Sequence, residues 1–98
     1  TARDMSGGLI DSVTDEEILN AYRLLASTEG VFVEPSSAAG IAGLLKHQAS
    51  GDLPKGKRIV ATVTGHGLKD IQWALESAAD PIVVPVDAKI AAEQLGLA

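Results

Sequence analysis

A chain of 98 residues that is 46% hydrophobic, with one Phe, one Trp and one Tyr, has room for one small domain or a slice of a larger one. Its net charge of −5, from 8 basic and 13 acidic residues, offers no basic face to neutralise phosphates, which sets nucleic acid aside as a partner. The absence of cysteine excludes a disulfide scaffold or thiol-ligated metal and leans weakly towards the cytoplasm, while no apolar run approaches the roughly 20 residues needed to span a bilayer.

The chain opens on Thr1 rather than Met, which fits a processed, cleaved or truncated product, and no signal-peptide pattern follows. After Gly7-Gly8 comes a short β-like stretch at residues 9–13. Thr14-Asp15-Glu16-Glu17 then has the form of a capping box, with Thr14 as N-cap and Glu17 three positions on. The helix that follows carries Ile18, Ala21, Tyr22 and Leu25 on one face, with Leu19, Leu24 and Ala26 widening it, and ends at Glu29-Gly30. Residues 31–33 form a brief β-prone run. Pro35 suits the first turn of a second helix, expected over residues 36–48 with Ala38, Ile41, Ala42 and Leu45 on one face. Gly40 and Gly43 inside that helix each cost up to about 1 kcal/mol relative to alanine, so close approach of a sheet or ligand is the expected compensation.

Residues 51–56 read as a loop. Residues 58–64 form the clearest strand, whose nearly continuous apolar centre has the pattern of a parallel strand buried on both faces. A Gly-rich turn, Thr64-Gly65-His66-Gly67, leads into a helix expected over residues 68–78 with Ile71, Ala74, Leu75 and Ala78 on one face. Pro81 and Pro85 bracket a short strand at residues 82–84, and a last helix is expected over residues 87–95. Helices alternating with β segments imply an α/β fold with a parallel sheet. One convincing strand among four helices is too little sheet to stand alone, which points to part of a larger one.

Two constellations carry chemistry-bearing residues. Thr64-Gly65-His66-Gly67 lies where open α/β sheets bind ligands, beyond a strand's carboxyl end, and Thr64 at the strand tip offers a hydroxyl there. On its own, a Gly-x-Gly turn is most often only a turn. Glu34-Pro35-Ser36-Ser37-Ala38-Ala39-Gly40 places a carboxylate and two hydroxyls at a helix start, where the plain reading is capping by Glu34 or Ser36. His47, late in its helix, reads as a solvated side chain. Two histidines without ligand spacing do not make a metal site, and no nucleophile–base–orienter set can be assembled.

The two motifs together, Glu34-Pro35-Ser36-Ser37-Ala38-Ala39-Gly40 and then Val63-Thr64-Gly65-His66-Gly67-Leu68-Lys69-Asp70, resemble the threonine synthase family of fold-type-II pyridoxal-phosphate enzymes. Relatives of that family include the tryptophan synthase β-subunit and the serine and threonine dehydratases. Gly8-Leu9-Ile10-Asp11-Ser12-Val13 with Asp15-Glu16-Glu17-Ile18 resembles the preceding segment, and the likeness continues more loosely to Leu95-Gly96-Leu97-Ala98. The resemblance implies that residues 1–98 form the C-terminal portion of the catalytic domain: a partial parallel sheet with helices packed on a few strands. It implies pyridoxal phosphate as cofactor and a lyase that converts O-phospho-L-homoserine and water to L-threonine and phosphate, a homodimer when full length. It also implies that Thr64 is the hydroxyl meeting the pyridine nitrogen and that Glu34 lies near the ring. Gly65 and Gly67 would make room for the ring, and Lys69-Asp70 would brace the loop.

In the family the Schiff-base lysine and the phosphate-cradling loop lie upstream of this region, and neither has a counterpart here, so the chain alone is expected to be inactive. Ile71 departs from the proline that often follows Lys-Asp. Two alternatives stand beside this reading: part of a threonine or serine dehydratase, and a non-catalytic small-ligand-binding or regulatory module. His66 and Leu68-Lys69-Asp70 favour the synthase over the dehydratase.

Overall fold

The computed structural model describes residues 1–98. Its elements are α1 (Ala2–Ser6), α2 (Asp15–Leu24) continuing into a π-helical turn (Leu25–Glu29), α3 (Pro35–Ser50), a 3-10 turn (Gly67–Asp70), α4 (Gln72–Ser77) and α5 (Ala88–Gln94).

α2 starts where the sequence requires. The Thr14 side chain accepts from the Glu17 N–H at 3.2 Å, and the Glu17 carboxylate accepts from the Thr14 N–H at 2.7 Å. Two of the helix's free N-terminal donor groups are thereby satisfied, and Asp15, Glu16 and Glu17 oppose the positive end of the helix dipole. The helix then widens at Leu25. There the Thr28 hydroxyl donates to the Leu24 carbonyl at 2.7 Å and the Ser27 hydroxyl at 3.3 Å, competing with the backbone ladder for that oxygen. Gly30, at φ 65°, closes the turn with its N–H on the Leu25 carbonyl.

The core is small and lies between α2 and α3. Ala21, Tyr22, Val33, Ala38 and Ala42 are buried, with Val13, Ile18, Leu25, Phe32 and Ile41 packed around them. Alanines at three of the five central positions let the two helices approach closely. Tyr22 and Phe32 meet with ring centroids 6.2 Å apart. Near the end of α3, the Lys46 ammonium donates to the Asp11 carboxylate and to the Ser12 carbonyl, each at 2.8 Å, pinning the segment before α2 against α3. That hydrogen bond, helped by the Ser12 N–H, holds the Asp11 carboxyl below its ordinary range and raises the Lys46 ammonium above its own.

The expected parallel sheet does not form in this chain. Residues 9–13, 31–33, 58–64 and 82–84 contain no regular strand, and the one β pairing is an isolated antiparallel bridge between Val33 and His66. Val60 is 86% exposed and Val83 93%, so residues whose pattern demands burial on two faces have water instead. The chain makes 46 backbone–backbone hydrogen bonds, against roughly 65 for a compact domain of this length. Its radius of gyration is 18.8 Å, where about 13 Å is usual. A parallel strand draws its hydrogen bonds from neighbouring strands, and these 98 residues supply none. The apolar runs are therefore present without the partners that would convert them into a sheet.

Four helical expectations also need adjustment. The helix expected over residues 68–78 divides at Ile71 into the 3-10 turn and α4. α3 begins one residue earlier than expected and runs two residues further, to its glycine cap at Gly51. Nothing approaches within 4 Å of where a Cβ would stand on Gly40 or Gly43, so the expected compensation for these glycines is not provided within the chain. Leu45, expected on the packed face of that helix, is exposed. No helix is long and apolar enough to cross a membrane.

Because the capping box starts the helix that carries Ala21 and Tyr22 of the core, Thr14→Ala should destabilise the fold by about 1 kcal/mol. Thr14→Ser should be nearly neutral. Urea denaturation followed by far-ultraviolet circular dichroism measures both, and equal losses for Ala and Ser would contradict the capping role.

Candidate functional site

The Val33–His66 bridge fixes where the two motifs meet. Its flanking bonds run from the Glu34 N–H to the Gly65 carbonyl at 2.9 Å and from the Gly67 N–H to the Phe32 carbonyl at 3.1 Å. The start of α3 and the Gly-rich turn are thus held edge to edge, although more than two dozen residues separate them in sequence.

Side chains complete the join. Ser37 Oγ accepts from the Gly65 N–H at 2.8 Å and lies 3.4 Å from Thr64 Oγ1. Lys69 Nζ lies 3.2 Å from Glu34 Oε2 and 3.4 Å from Oε1. The Glu34 side chain is 13% exposed and the Lys69 side chain 71%, so the ammonium closes the outer side of a largely covered carboxylate. The hydrogen bond from Lys69, with further ones from Ser36 and Ser37, holds the Glu34 carboxyl below the ordinary carboxylate range against the opposing effect of desolvation.

The plain capping reading of Glu34 is overturned by this geometry. Glu34 is the N-cap residue of α3, but no side-chain capping bond is made, and Pro35 at the first helical position has no N–H to offer. The Glu34 carboxylate and the Ser37 hydroxyl are both turned away from their own helix towards residues 64–69.

The two glycines are used by protein side chains. A Cβ on Gly65 would collide with the Glu34 side chain, and one on Gly67 would lie 2.5 Å from the Phe32 ring. Gly67 is buried beneath that ring. His66 serves the turn: Nδ1 accepts the Leu68 N–H at 3.1 Å, and its ring meets Phe32 edge-on at 5.8 Å. Thr64 remains exposed, with its hydroxyl at the rim. A cleft of about 230 Å³ runs between α3 and residues 59–63, with Ser37 and Gly40 among its lining residues.

Sequence reasoning grouped Thr64 with Gly65 and Gly67, and Glu34 with Ser37, and the structure brings all five together with Lys69. It did not find Phe32 as the cover of Gly67, nor Ser37 as the link to Gly65. The available signal was a serine and a glutamate at a helix start whose first position is already proline. His47 is also corrected. It is about a quarter exposed rather than solvated, with Nε2 3.3 Å from Asp11 and Nδ1 3.9 Å from Asp52.

The arrangement leaves one neutral hydroxyl, that of Thr64, exposed to hydrogen-bond a polar ligand atom. It stands near a carboxylate that already has a counter-charge, whereas the space at Gly65 and Gly67, expected to make room for a ring, is taken by Glu34 and Phe32. That hydroxyl fits the ring nitrogen of pyridoxal phosphate, whereas the cation at hand, Lys69, is committed to Glu34.

Comparison with known proteins agrees with this chemistry. Residues 2–65 match the family described as "Pyridoxal-phosphate dependent enzyme". The chain is 53% identical over 96 residues to threonine synthase of Mycobacterium leprae, covering 98% of this chain and 27% of that protein. It is 58% identical over 76 residues to threonine synthase of Bacillus sp. strain ULM1, covering 78% and 22%. It is 48% identical over 85 residues to threonine synthase of Methanocaldococcus jannaschii, covering 87% and 21%. The chain thus spans about a quarter of the length of the curated relatives it matches. On a family match that takes in well over half of its residues, the chain belongs to the pyridoxal-phosphate dependent enzyme family.

Proposed function

We propose that residues 1–98 supply the ring side of the cofactor site in a threonine synthase, a lyase acting on O-phospho-L-homoserine and water to give L-threonine and phosphate. The observation that carries this reading is the joining of two sequence-distant motifs, Ser37 to Gly65 and Glu34 to Lys69, around the exposed hydroxyl of Thr64. Relatives that share about half of these residues, each a threonine synthase, support the reaction class.

Thr64 Oγ1 is the atom that meets the pyridine nitrogen. A hydroxyl can hydrogen-bond a neutral ring nitrogen but cannot hold a proton on it as a carboxylate would, so the ring's electron withdrawal is moderated. Pyridoxal phosphate supplies the stabilisation of carbanionic charge on the substrate. The protein's part in this region is to orient the ring and limit its protonation. Glu34, neutralised by Lys69, lies beside the ring without drawing a proton towards it. Gly65 leaves the space that the Glu34 side chain occupies. The lysine that binds the cofactor covalently and the loop that holds its phosphate belong to the remainder of the enzyme, which as a whole forms a homodimer. Among this chain's lysines, Lys46 and Lys69 are already paired, with Asp11 and Glu34.

In the full-length enzyme, Thr64→Ala should shift the cofactor's visible absorption and lower kcat about tenfold, the equivalent of one hydrogen bond of about 1.4 kcal/mol. The thermal transition should be retained, and an unchanged spectrum with unchanged kcat would remove Thr64 from the ring nitrogen.

The Glu34–Lys69 pair also has a defined pH dependence. Because the folded-state pKa of Glu34 is depressed, the stabilisation is fully present above the unfolded value of about 4.3 and is lost as pH falls through the lower folded value. Amide signals of Gly65 and Gly67 should therefore report a transition below about pH 4.3 that Glu34→Gln abolishes. A transition at or above that pH would contradict the pairing.

A further inference from the structure

Ser37 occupies the third position of α3, where a hydroxyl ordinarily faces water or its own first turn. Here it leaves its helix. Its backbone N–H bonds to the Glu34 carbonyl at 3.0 Å, while Oγ reaches across to residues 64–65. The bond from the Gly65 N–H uses one lone pair of Oγ and leaves the hydroxyl proton of Ser37 to be donated. Thr64 Oγ1 is a side-chain acceptor within reach of that proton. At 3.4 Å the contact with Thr64 is long for two hydroxyls, so the ordering runs first through the Gly65 peptide.

Gly65 is gripped on both of its backbone polar groups by α3. Its N–H donates to Ser37 Oγ, and its carbonyl accepts the Glu34 N–H at 2.9 Å. The residue immediately before it is Thr64. Fixing the N–H of residue 65 holds the peptide plane that joins it to residue 64 and so restricts the ψ torsion of Thr64. One oxygen atom thus constrains both the backbone and the side chain of Thr64. No other side chain in the structure hydrogen-bonds either residue.

We propose that Ser37 is the positioning residue that sets the Thr64 hydroxyl against the edge of the cofactor ring. The inference rests on Thr64 facing the ring nitrogen, as argued above, and adds the group that holds it there. Ser37 itself does not touch the ring. Its removal leaves Thr64 chemically intact but frees its peptide and rotamer, and replacement by threonine keeps the oxygen in place.

The test uses the full-length enzyme in two forms. In the apoenzyme labelled at glycine nitrogen, hydrogen exchange at the Gly65 amide should accelerate about tenfold in Ser37→Ala and return to the wild-type rate in Ser37→Thr. Amides within α3 serve as the internal control for folding. In the holoenzyme, Ser37→Ala should move the cofactor's visible band in the same direction as Thr64→Ala, and Ser37→Ala should move it no further when added to Thr64→Ala. Unchanged Gly65 exchange in Ser37→Ala would overturn the proposal outright. Faster exchange with an unmoved band, while Thr64→Ala moves it, would also overturn it, reducing Ser37 to a structural contact. If neither substitution moves the band, the Thr64 reading itself fails and the proposal falls with it.

Discussion

Gly65 has both of its peptide groups bonded to the first turn of α3, and the site depends on that constraint. The Glu34 N–H and the Ser37 hydroxyl hold it from one side, while the absence of a side chain admits the Glu34 carboxylate from the other. A Cβ there would push Glu34 out of contact with Lys69, and the outer closure of the turn would go with it. Neighbouring Gly67 plays the matching part for packing, since the Phe32 ring lies where its side chain would be and carries the contact on to Tyr22 in the core. The turn is therefore connected to the α2–α3 core through aromatic rings and to the start of α3 through hydrogen bonds. The chemistry-bearing Thr64 sits between these two anchorages.

The helices were the most legible part of the sequence because their signals are local. The Thr14/Glu17 capping box, the glycines at positions 30 and 51 and the proline at position 35 each act within a few residues, and each element starts or stops where they stand. The strands were legible only as patterns. Residues 58–64 have the composition of a doubly buried strand, but a strand exists through its neighbours, and here the residues on either side are water or α3. The bridge between Val33 and His66 could not be read from pattern at all, because it joins one residue of a short β-prone run to one residue of a turn.

The same distinction applies to the site. Thr64, Glu34 and the two glycines were identifiable by motif, and their residue types matched a chemistry. Lys69 was legible as a brace but not as the partner of Glu34. The role of Ser37 was hidden because a serine at a helix start has an ordinary explanation that the structure does not bear out. Contacts between residues more than two dozen positions apart depend on how α2, α3 and the turn stack, which no local signal records.

Large apolar side chains are exposed along residues 58–63 and 82–86, and a cleft lies between α3 and residues 59–63. In the proposed reading this chain is one wall of a site, with Thr64 at the ring and the covalent attachment elsewhere. The most direct measurement is borohydride reduction of the full-length holoenzyme followed by peptide mapping of the pyridoxylated lysine. The account predicts a single labelled lysine outside residues 1–98. Label on Lys69, or on any other lysine of this chain, would contradict it.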